Sequence, residues 1–182
     1  MNNNPLFEWM NKHIIPRKFE KIRIGNKKDG GYVLPKKCVD EGDLCISFGL
    51  GDNTTYEKDL LNRNKKVIGY DIALKAQHAW ARKMKLDTYQ EFSNISEVQQ
   101  SNKIVLKIDT EGSEFEIIKN FNFNKYDVEI FTIEHNSASY REDIIKLLES
   151  KKYYRIPSGH FTPGFEDWYI KKDNPVLKKL GF

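Results

Sequence analysis

The sequence predicts an α/β protein built on a doubly wound, mostly parallel β-sheet. Short apolar segments typical of strands alternate along the chain with segments typical of helices, and the helix starts follow closely on the apolar strands. Three of those starts have the spacing of a capping box, a Ser or Thr followed three residues later by a Glu. The length of 182 residues allows one domain with a sizeable core.

The N-terminal stretch, to about Cys38, is basic and aromatic. It ends in a Gly-Gly turn at Gly30 and Gly31, and this turn leads into a short predicted strand. We expect residues 1–37 to form an appendage that contributes to the site. Residues 38–182 then form the main domain, and the two parts make one compact unit.

The main domain repeats the order of strand, turn and capped helix. The last two predicted strands close the sheet. The strands are predicted at 44–48, 66–72, 104–108, 128–133, 153–156 and 168–170. The helices are predicted after the capping residues Thr54, Ser113 and Ser139, each paired with a Glu three positions on (Glu57, Glu116 and Glu142), and over residues 73–84.

Glycines or polar residues lie at the ends of four of the predicted strands. In a doubly wound sheet the ligand binds outside the carboxyl ends of the strands, where the strand order reverses. Polar residues that crowd one edge of an otherwise apolar sheet therefore predict a binding site. The residues at this edge are Gly49 and Gly51, Asp71, Asp109 and Glu111, and Glu134 and His135.

The turn Gly49-Leu50-Gly51 permits a close approach of the backbone to a ligand, because glycine has no Cβ. Asp71 follows Gly51 by twenty positions, which suits a carboxylate that accepts hydrogen bonds from a ribose diol. A tight turn beside a surface Asp would give the same pattern. Thr54 stands where a dinucleotide motif would have its third glycine, so the pattern favours a nucleoside ligand over NAD.

Two charged residues lie in or at the end of strands that should be buried on both faces, namely Lys107 and Glu134. They could form a buried ion pair between strands. Alternatively, Asp109, Glu111 and Glu134 surround a reaction centre. Those three carboxylates could also hold Mg²⁺ in a hydrolase, and a non-catalytic nucleoside-binding module would keep the fold without the reaction.

Residues 107–116 read KIDTEGSEFE, and this segment resembles the signature of FkbM-like methyltransferases. Residues 23–34, RIGNKKDGGYVL, resemble the N-terminal element of related methyltransferase domains. The resemblance covers residues 22–170, almost the whole chain. It implies the class I methyltransferase fold, a Rossmann-like sheet with an antiparallel C-terminal strand.

The resemblance also implies a cofactor and a reaction. The cofactor is S-adenosylmethionine, and the reaction is methyl transfer to oxygen in a small molecule such as a sugar, a glycoconjugate, a nucleotide-linked precursor, or a phosphate or phosphoramidate. By the same transfer, Gly49 and Gly51 line the methionine part of the cofactor and Asp71 holds its ribose. Asp109 lies at the methionine end, with Glu111 nearby.

A hydroxyl acceptor must lose its proton, and Glu134, His135 and His160 are the candidate bases. Both histidines could instead be structural. Tyr32, after the Gly-Gly turn, could cover the site or simply pack in the core. For the adenine ring the sequence offers only weak candidates in a marginal strand, at Glu91, Phe92 and Ser93.

Composition excludes several classes of protein. Thirty Lys and Arg against 26 Asp and Glu give a net charge of +4, too small and too scattered for a nucleic-acid-binding face. Cys38 and Cys45 lack metal-ligand spacing and are expected to be reduced thiols. No metal site, signal peptide or membrane span is predicted, so we expect a cytoplasmic protein.

Overall fold

The fold is given by a computed structural model, which describes residues 20–27, 30–72, 82–83, 102–135, 138–157 and 166–180. A two-stranded antiparallel hairpin, β1 (Lys21–Gly25) and β2 (Gly31–Pro35), precedes the main sheet. The main sheet has seven strands, which are β3 (Leu44–Phe48), β4 (Lys66–Asp71), β5 (Arg82–Lys83), β6 (Lys103–Ile108), β7 (Asp127–Glu134), β8 (Tyr153–Pro157) and β9 (Glu166–Lys171).

The strand order is β5-β4-β3-β6-β7-β9-β8. The pairs from β5 to β7 are parallel, whereas β9 runs antiparallel to both of its neighbours. The chain moves outward from β3 in one direction and from β6 in the other, so the order reverses between these two strands. The predicted doubly wound sheet with an antiparallel C-terminal strand is confirmed.

The described part of the chain contains five helices. They are α1 (Lys36–Glu41), α2 (Thr55–Asn62), α3 (Glu114–Lys119), α4 (Ala138–Ser150) and α5 (Pro175–Leu180). The sequence did not predict α1, α5 or the hairpin strand β1. The helix predicted over 73–84 lies mostly outside the described residues, and its end was wrong, because residues 82–83 pair with Tyr70 and Asp71 as strand β5.

The capping boxes predicted closely where the helices start, but the first two do not form the side-chain hydrogen bonds typical of a capping box. Neither Thr54 nor Ser113 makes a capping hydrogen bond through its side chain. Ser139 lies inside α4, which begins one residue earlier. The Glu of the first box, Glu57, is fully buried and accepts a hydrogen bond from Ser47 instead. A buried polar partner has therefore replaced the local capping contact predicted there.

Both faces of the sheet are covered, as a parallel sheet requires. One face packs Phe48, Leu106 and Phe131 against helices α3 and α4. The other face packs Trp168 and Ile130 beneath the hairpin and helices α1, α2 and α5; the apolar residues contributed from that side include Ile24, Tyr32, Leu34, Val39, Tyr56, Leu60, Val176 and Leu177. The hairpin thereby brings Tyr32 towards the carboxyl edge of β6.

Cys38 and Cys45 are buried free thiols, and burial raises the pKa of each to about 12. Both side chains therefore act as small apolar groups in the core that lies beneath the hairpin. None of the helices in the described ranges is long and apolar enough to cross a bilayer.

Candidate active site

The glycine turn after β3 packs directly against the end of β6. Gly49 has a φ of +80°, and a Cβ placed there would lie 1.6 Å from the carbonyl oxygen of Asp109. Only glycine fits this close approach of two backbones. Gly51 also has a positive φ, +56°, but a Cβ there would meet no atom within 4 Å. The two glycines therefore serve different purposes, since Gly49 allows strand packing and Gly51 faces open space.

Asp71, at the end of β4, holds this turn in place. Its Oδ2 accepts hydrogen bonds from the backbone amides of Leu50 at 2.8 Å and Gly51 at 3.1 Å. The residue is 8% exposed. The carboxylate predicted to hold a ribose thus also orders the turn that the cofactor would approach.

A cavity of about 320 Å³ opens at this edge of the sheet, where the strand order reverses. Its volume falls in the range of about 300–1,000 Å³ that is usual for small-molecule sites. Four of its side chains are acidic, and Lys107 is the one basic side chain among the described residues that line it. The lining contains every cofactor-binding residue predicted from the sequence, which are Gly49, Gly51, Asp71, Asp109 and Glu111.

Asp109 lies at the centre of a hydrogen-bonded group beside the cavity. The hydroxyl of Tyr32 donates to its Oδ2 at 2.5 Å, and the ammonium of Lys107 lies 3.8 Å from the same oxygen. Burial and the negative charge of Asp109 raise the pKa of Tyr32 well above its usual value, so the hydroxyl stays protonated and donates. Oδ2 of Asp109 thus has both a hydrogen-bond donor and a cation beside it.

Glu134, at the end of β7, shares a hydrogen bond with Asp109. Burial raises the pKa of Glu134 to about 7, and the charge of Asp109, their hydrogen bond and the charge of Glu111 act in the same direction. The positive charge of Lys107 opposes this shift. Glu134 therefore exchanges its proton near neutral pH. Asp109 has two further partners, Tyr32 and Lys107.

Glu166 was missed by the sequence analysis. It lies directly opposite Glu134 in the pairing of β7 with β9 and is buried. Burial raises its pKa to about 8, with the charges of Glu134 and Asp109 adding to the shift and Arg23 opposing it. The sequence pattern could have identified it, because β9 begins two residues before Trp168. Side chains alternate between the two faces of a strand, so Glu166 lies on the same face as the buried Trp168.

Lys107 connects the glycine turn to the carboxylates. Its ammonium donates to the carbonyl oxygen of Gly49 at 2.8 Å and lies 3.5 Å from Oε1 of Glu57. It also lies over the rings of Tyr32 and Tyr56, 5.2 Å and 5.8 Å from their centroids. Lys107 does form a buried ion pair, but its partner is Glu57 on α2 and not a residue of a neighbouring strand. The reaction centre formed by Asp109, Glu111 and Glu134 stays a prediction.

The loop after Asp109 is ordered by Glu114. Its Oε1 accepts hydrogen bonds from the amides of Thr110 at 3.2 Å and Gly112 at 2.9 Å. Glu111, between them, has a φ of +55°, which a non-glycine residue seldom adopts. The sequence assigned the capping role here to Glu116, but the side chain of Glu116 is exposed. It is Glu114 that orders the loop before α3.

His135 lies apart from the carboxylate pair. Its Nε2 is 3.1 Å from the hydroxyl of Tyr169 and 3.4 Å from Oδ2 of Asp167, and its side chain is 1% exposed. Asp167 pairs opposite Ile133, so it lies on the other face of the sheet from Glu166. The structure therefore brings Tyr32, Asp109 and Glu134 together, but not His135.

Two predicted sets lie outside the described residues, namely His160 and the adenine candidates Glu91, Phe92 and Ser93. Within the described part of the chain, no three His, Cys, Asp or Glu side chains are grouped so that they could hold a metal ion.

The model of the Methyltransferase FkbM domain family matches residues 26–156, which is most of the chain. The chain belongs to this family. The predicted relationship to FkbM-like methyltransferases is confirmed, and with it the methyltransferase class. S-adenosylmethionine, the predicted cofactor, is the methyl donor that FkbM membership supports.

Three solved structures are similar to this chain at low sequence identity. No curated protein sequence matches the sequence of this chain. The structures are the fibrillarin pre-rRNA processing protein of Methanococcus jannaschii (14% identity, 87% of this chain and 84% of that chain covered, TM-score 0.43), precorrin-6y C5,15-methyltransferase of Geobacter metallireducens GS-15 (9%, 86% and 95%, 0.47) and MnmC2 of Aquifex aeolicus (8%, 97% and 81%, 0.49).

Proposed function

We propose that this protein is an S-adenosylmethionine-dependent O-methyltransferase whose acceptor is a hydroxyl group of a small molecule, such as a sugar, a glycoconjugate or a nucleotide-linked precursor. The observation that carries the proposal is the hydrogen bond between Glu134 and Asp109, which lines the cavity. A hydroxyl must lose its proton on methylation, and a base works best when its pKa lies near the working pH. Glu134, with a pKa of about 7, meets that requirement.

The cavity suits this cofactor in charge and in shape. S-adenosylmethionine carries a sulfonium and an ammonium group, and four acidic side chains line the cavity: Asp52, Asp71, Asp109 and Glu111. Gly51 leaves open space towards its methionine part, and Asp71 is the candidate partner of its ribose. When bound, the cofactor supplies an electrophilic methyl group. Methyl transfer is an in-line displacement, so positioning of the acceptor provides much of the acceleration.

In this proposal Glu134 accepts the proton of the acceptor hydroxyl. Asp109 accepts a hydrogen bond from Tyr32 and lies beside Lys107. Its charge in turn keeps the pKa of Glu134 high enough for the proton to be accepted and released near neutral pH. Tyr32 therefore acts as a positioning residue. His160 stays a candidate base from the sequence, and His135 has the contacts of a structural residue.

A phosphate or phosphoramidate acceptor is the weaker candidate. Such an oxygen is already anionic and needs no base, and the carboxylates around Glu134 would repel it.

The magnesium-dependent hydrolase is disfavoured by membership in a methyltransferase family. A non-catalytic nucleoside-binding module differs from the proposal only in whether Glu134 performs chemistry. The cytoplasmic location, the absence of a nucleic-acid partner and the division at residue 37 stay predictions from the sequence.

The first test is calorimetry with S-adenosylmethionine and S-adenosylhomocysteine. We expect the wild type to bind both and the Asp71→Ala variant to bind them more weakly. Failure of the wild type to bind either compound at millimolar concentration would overturn the proposal.

The second test separates binding from chemistry. Glu134→Gln should bind the cofactor as the wild type does but lose methyl transfer to a panel of sugar hydroxyls, by a factor of about 100 or more. The matched control is Glu116→Gln, which changes an exposed carboxylate on α3 and should leave the rate unchanged. Equal rates in the two variants would contradict the role of Glu134.

A further inference from the structure

A second cavity, of about 600 Å³, lies at the edge of the sheet opposite the cofactor cavity. It is found where β7 and β8 begin and where β9 ends, so it is bounded by three separate turns of the chain. We call it the lysine cavity. Its lining consists of Phe123, Asn124, Lys125, Tyr126, Asp127, Lys151, Lys152, Tyr153, Lys171, Lys172 and Asp173.

The lining has a large excess of positive charge. Five of its side chains are lysines and two are aspartates. Both aspartates are next to the same lysine, since Nζ of Lys171 lies 2.6 Å from Oδ1 of Asp127 and 3.8 Å from Oδ2 of Asp173. Within the described part of the chain, Lys151, Lys152 and Lys172 form no ion pair. Among the described residues, the charges of these three lysines are therefore not neutralised by an ion pair.

Aromatic rings hold several of these lysines in place. A ring below an ammonium group attracts it and reduces the number of positions that it samples. An anion that binds to such lysines then loses less side-chain entropy. The pairs are Lys125 over Tyr126 at 5.1 Å, Lys151 over Phe123 at 5.5 Å and Lys172 over Tyr154 at 5.4 Å from the ring centroid.

We propose that the lysine cavity binds the phosphate group of a small phosphorylated molecule. Its volume lies within the range of about 300–1,000 Å³ found for small-molecule sites. Lysine is a common phosphate ligand that acts as a point charge. An excess of three positive charges matches a divalent or trivalent phosphate better than a single carboxylate.

Some of these lysines also follow the C-terminal end of α4, where cations stabilise the helix dipole. Stabilisation of the α4 dipole alone would not explain why lysines from three separate turns line one cavity. It would also give no saturable affinity for phosphate, which makes the two roles separable by experiment.

The test is calorimetry of inorganic pyrophosphate into the ligand-free full chain. We expect saturable binding at one site, weakened about tenfold in Lys151→Gln and in Lys172→Gln, since each removes one charged contact. The matched control, Lys58→Gln, changes an exposed lysine on α2 outside the cavity and should bind as the wild type does. Both cavity lysines are exposed, so the variants should fold, which thermal unfolding would verify.

Three results would overturn the proposal. The first is no saturable binding of pyrophosphate, and the second is equal affinity in the wild type and the cavity variants. The third is binding only to vesicles of phosphatidylglycerol in phosphatidylcholine, which would assign the lysines to a membrane surface. The titration needs neither methyl donor nor acceptor, so its outcome is independent of the proposed methyltransferase activity.

Discussion

The hydroxyl of Tyr32 donates a hydrogen bond of 2.5 Å to Oδ2 of Asp109, across 77 positions of the chain. Tyr32 lies on strand β2 of the hairpin and Asp109 follows β6, so this bond ties the N-terminal hairpin to the carboxyl edge of the main sheet. The hairpin is thus part of the candidate site, because it supplies a hydrogen-bond donor to Asp109.

The variant Tyr32→Phe keeps the ring, which packs edge-on against Tyr56 at 5.1 Å, and removes only the donor. Because a hydrogen bond to a charged group is worth about 1.5–3 kcal/mol, we expect methyl transfer to fall by about tenfold to a hundredfold. Steady-state rates at several pH values would measure this. The matched control is Tyr56→Phe, whose hydroxyl does not contact Asp109. Equal losses in the two variants would contradict a specific role for Tyr32.

The two glycines of the turn should respond differently to the same change. In Gly49→Ala the new Cβ would clash with the carbonyl of Asp109, so β3 and β6 must move apart. In Gly51→Ala there is open space, and the cost is the left-handed backbone alone, about 1–2 kcal/mol. We expect Gly49→Ala to lower the melting temperature far more than Gly51→Ala. Differential scanning calorimetry tests this, and equal shifts would refute the packing argument.

The positions of the site residues could be predicted because they depend on strand ends. Strands β3, β4, β6 and β7 are read directly from short apolar segments, and parallel strands bring their carboxyl ends to one edge. Asp71, Asp109 and Glu134 follow from that rule alone. Their individual partners do not, since a hydrogen bond such as that from Tyr32 joins residues far apart in the sequence.

The two missed carboxylates show why local patterns fail. Glu57 has the spacing of a capping box, but its partners are Ser47 and Lys107, ten and fifty positions away. Glu57 pairs with the buried ammonium of Lys107 because an unpaired buried charge costs far more free energy than the loss of a capping hydrogen bond at the surface. Glu166 was missed because the predicted strand began at residue 168, whereas β9 begins at Glu166.

Glu166 should make the stability of the protein depend on pH. Its pKa is about 8 in the folded chain against an ordinary value of 4.5, so the folded state binds the extra proton. The contribution of Glu166 to the free energy of unfolding is then highest below pH 4.5 and falls as the pH rises towards 8. Glu166→Gln should unfold like the wild type at pH 5 and be more stable by a few kcal/mol at pH 9. Urea unfolding at both pH values would show this, and a parallel pH dependence in the variant would contradict it.

The buried pair of Lys107 and Glu57 should show strong energetic coupling. Their side chains are 5% and 0% exposed, with Nζ and Oε1 3.5 Å apart. Breaking a buried pair typically costs about 3–5 kcal/mol, because the remaining charge is left without its partner. We therefore expect Lys107→Met to lower the free energy of unfolding by that amount.

The double variant Glu57→Gln/Lys107→Met removes both buried charges, so it should be less destabilised than the sum of the two single variants. Urea unfolding of all four proteins gives the coupling energy. The exposed pair of Lys36 and Asp40 on α1 provides the control, since Lys36→Met should cost no more than about 1 kcal/mol. Additive effects in the buried pair would mean that Lys107 is held chiefly by Asp109 and the carbonyl of Gly49, and that Glu57 contributes little to its position.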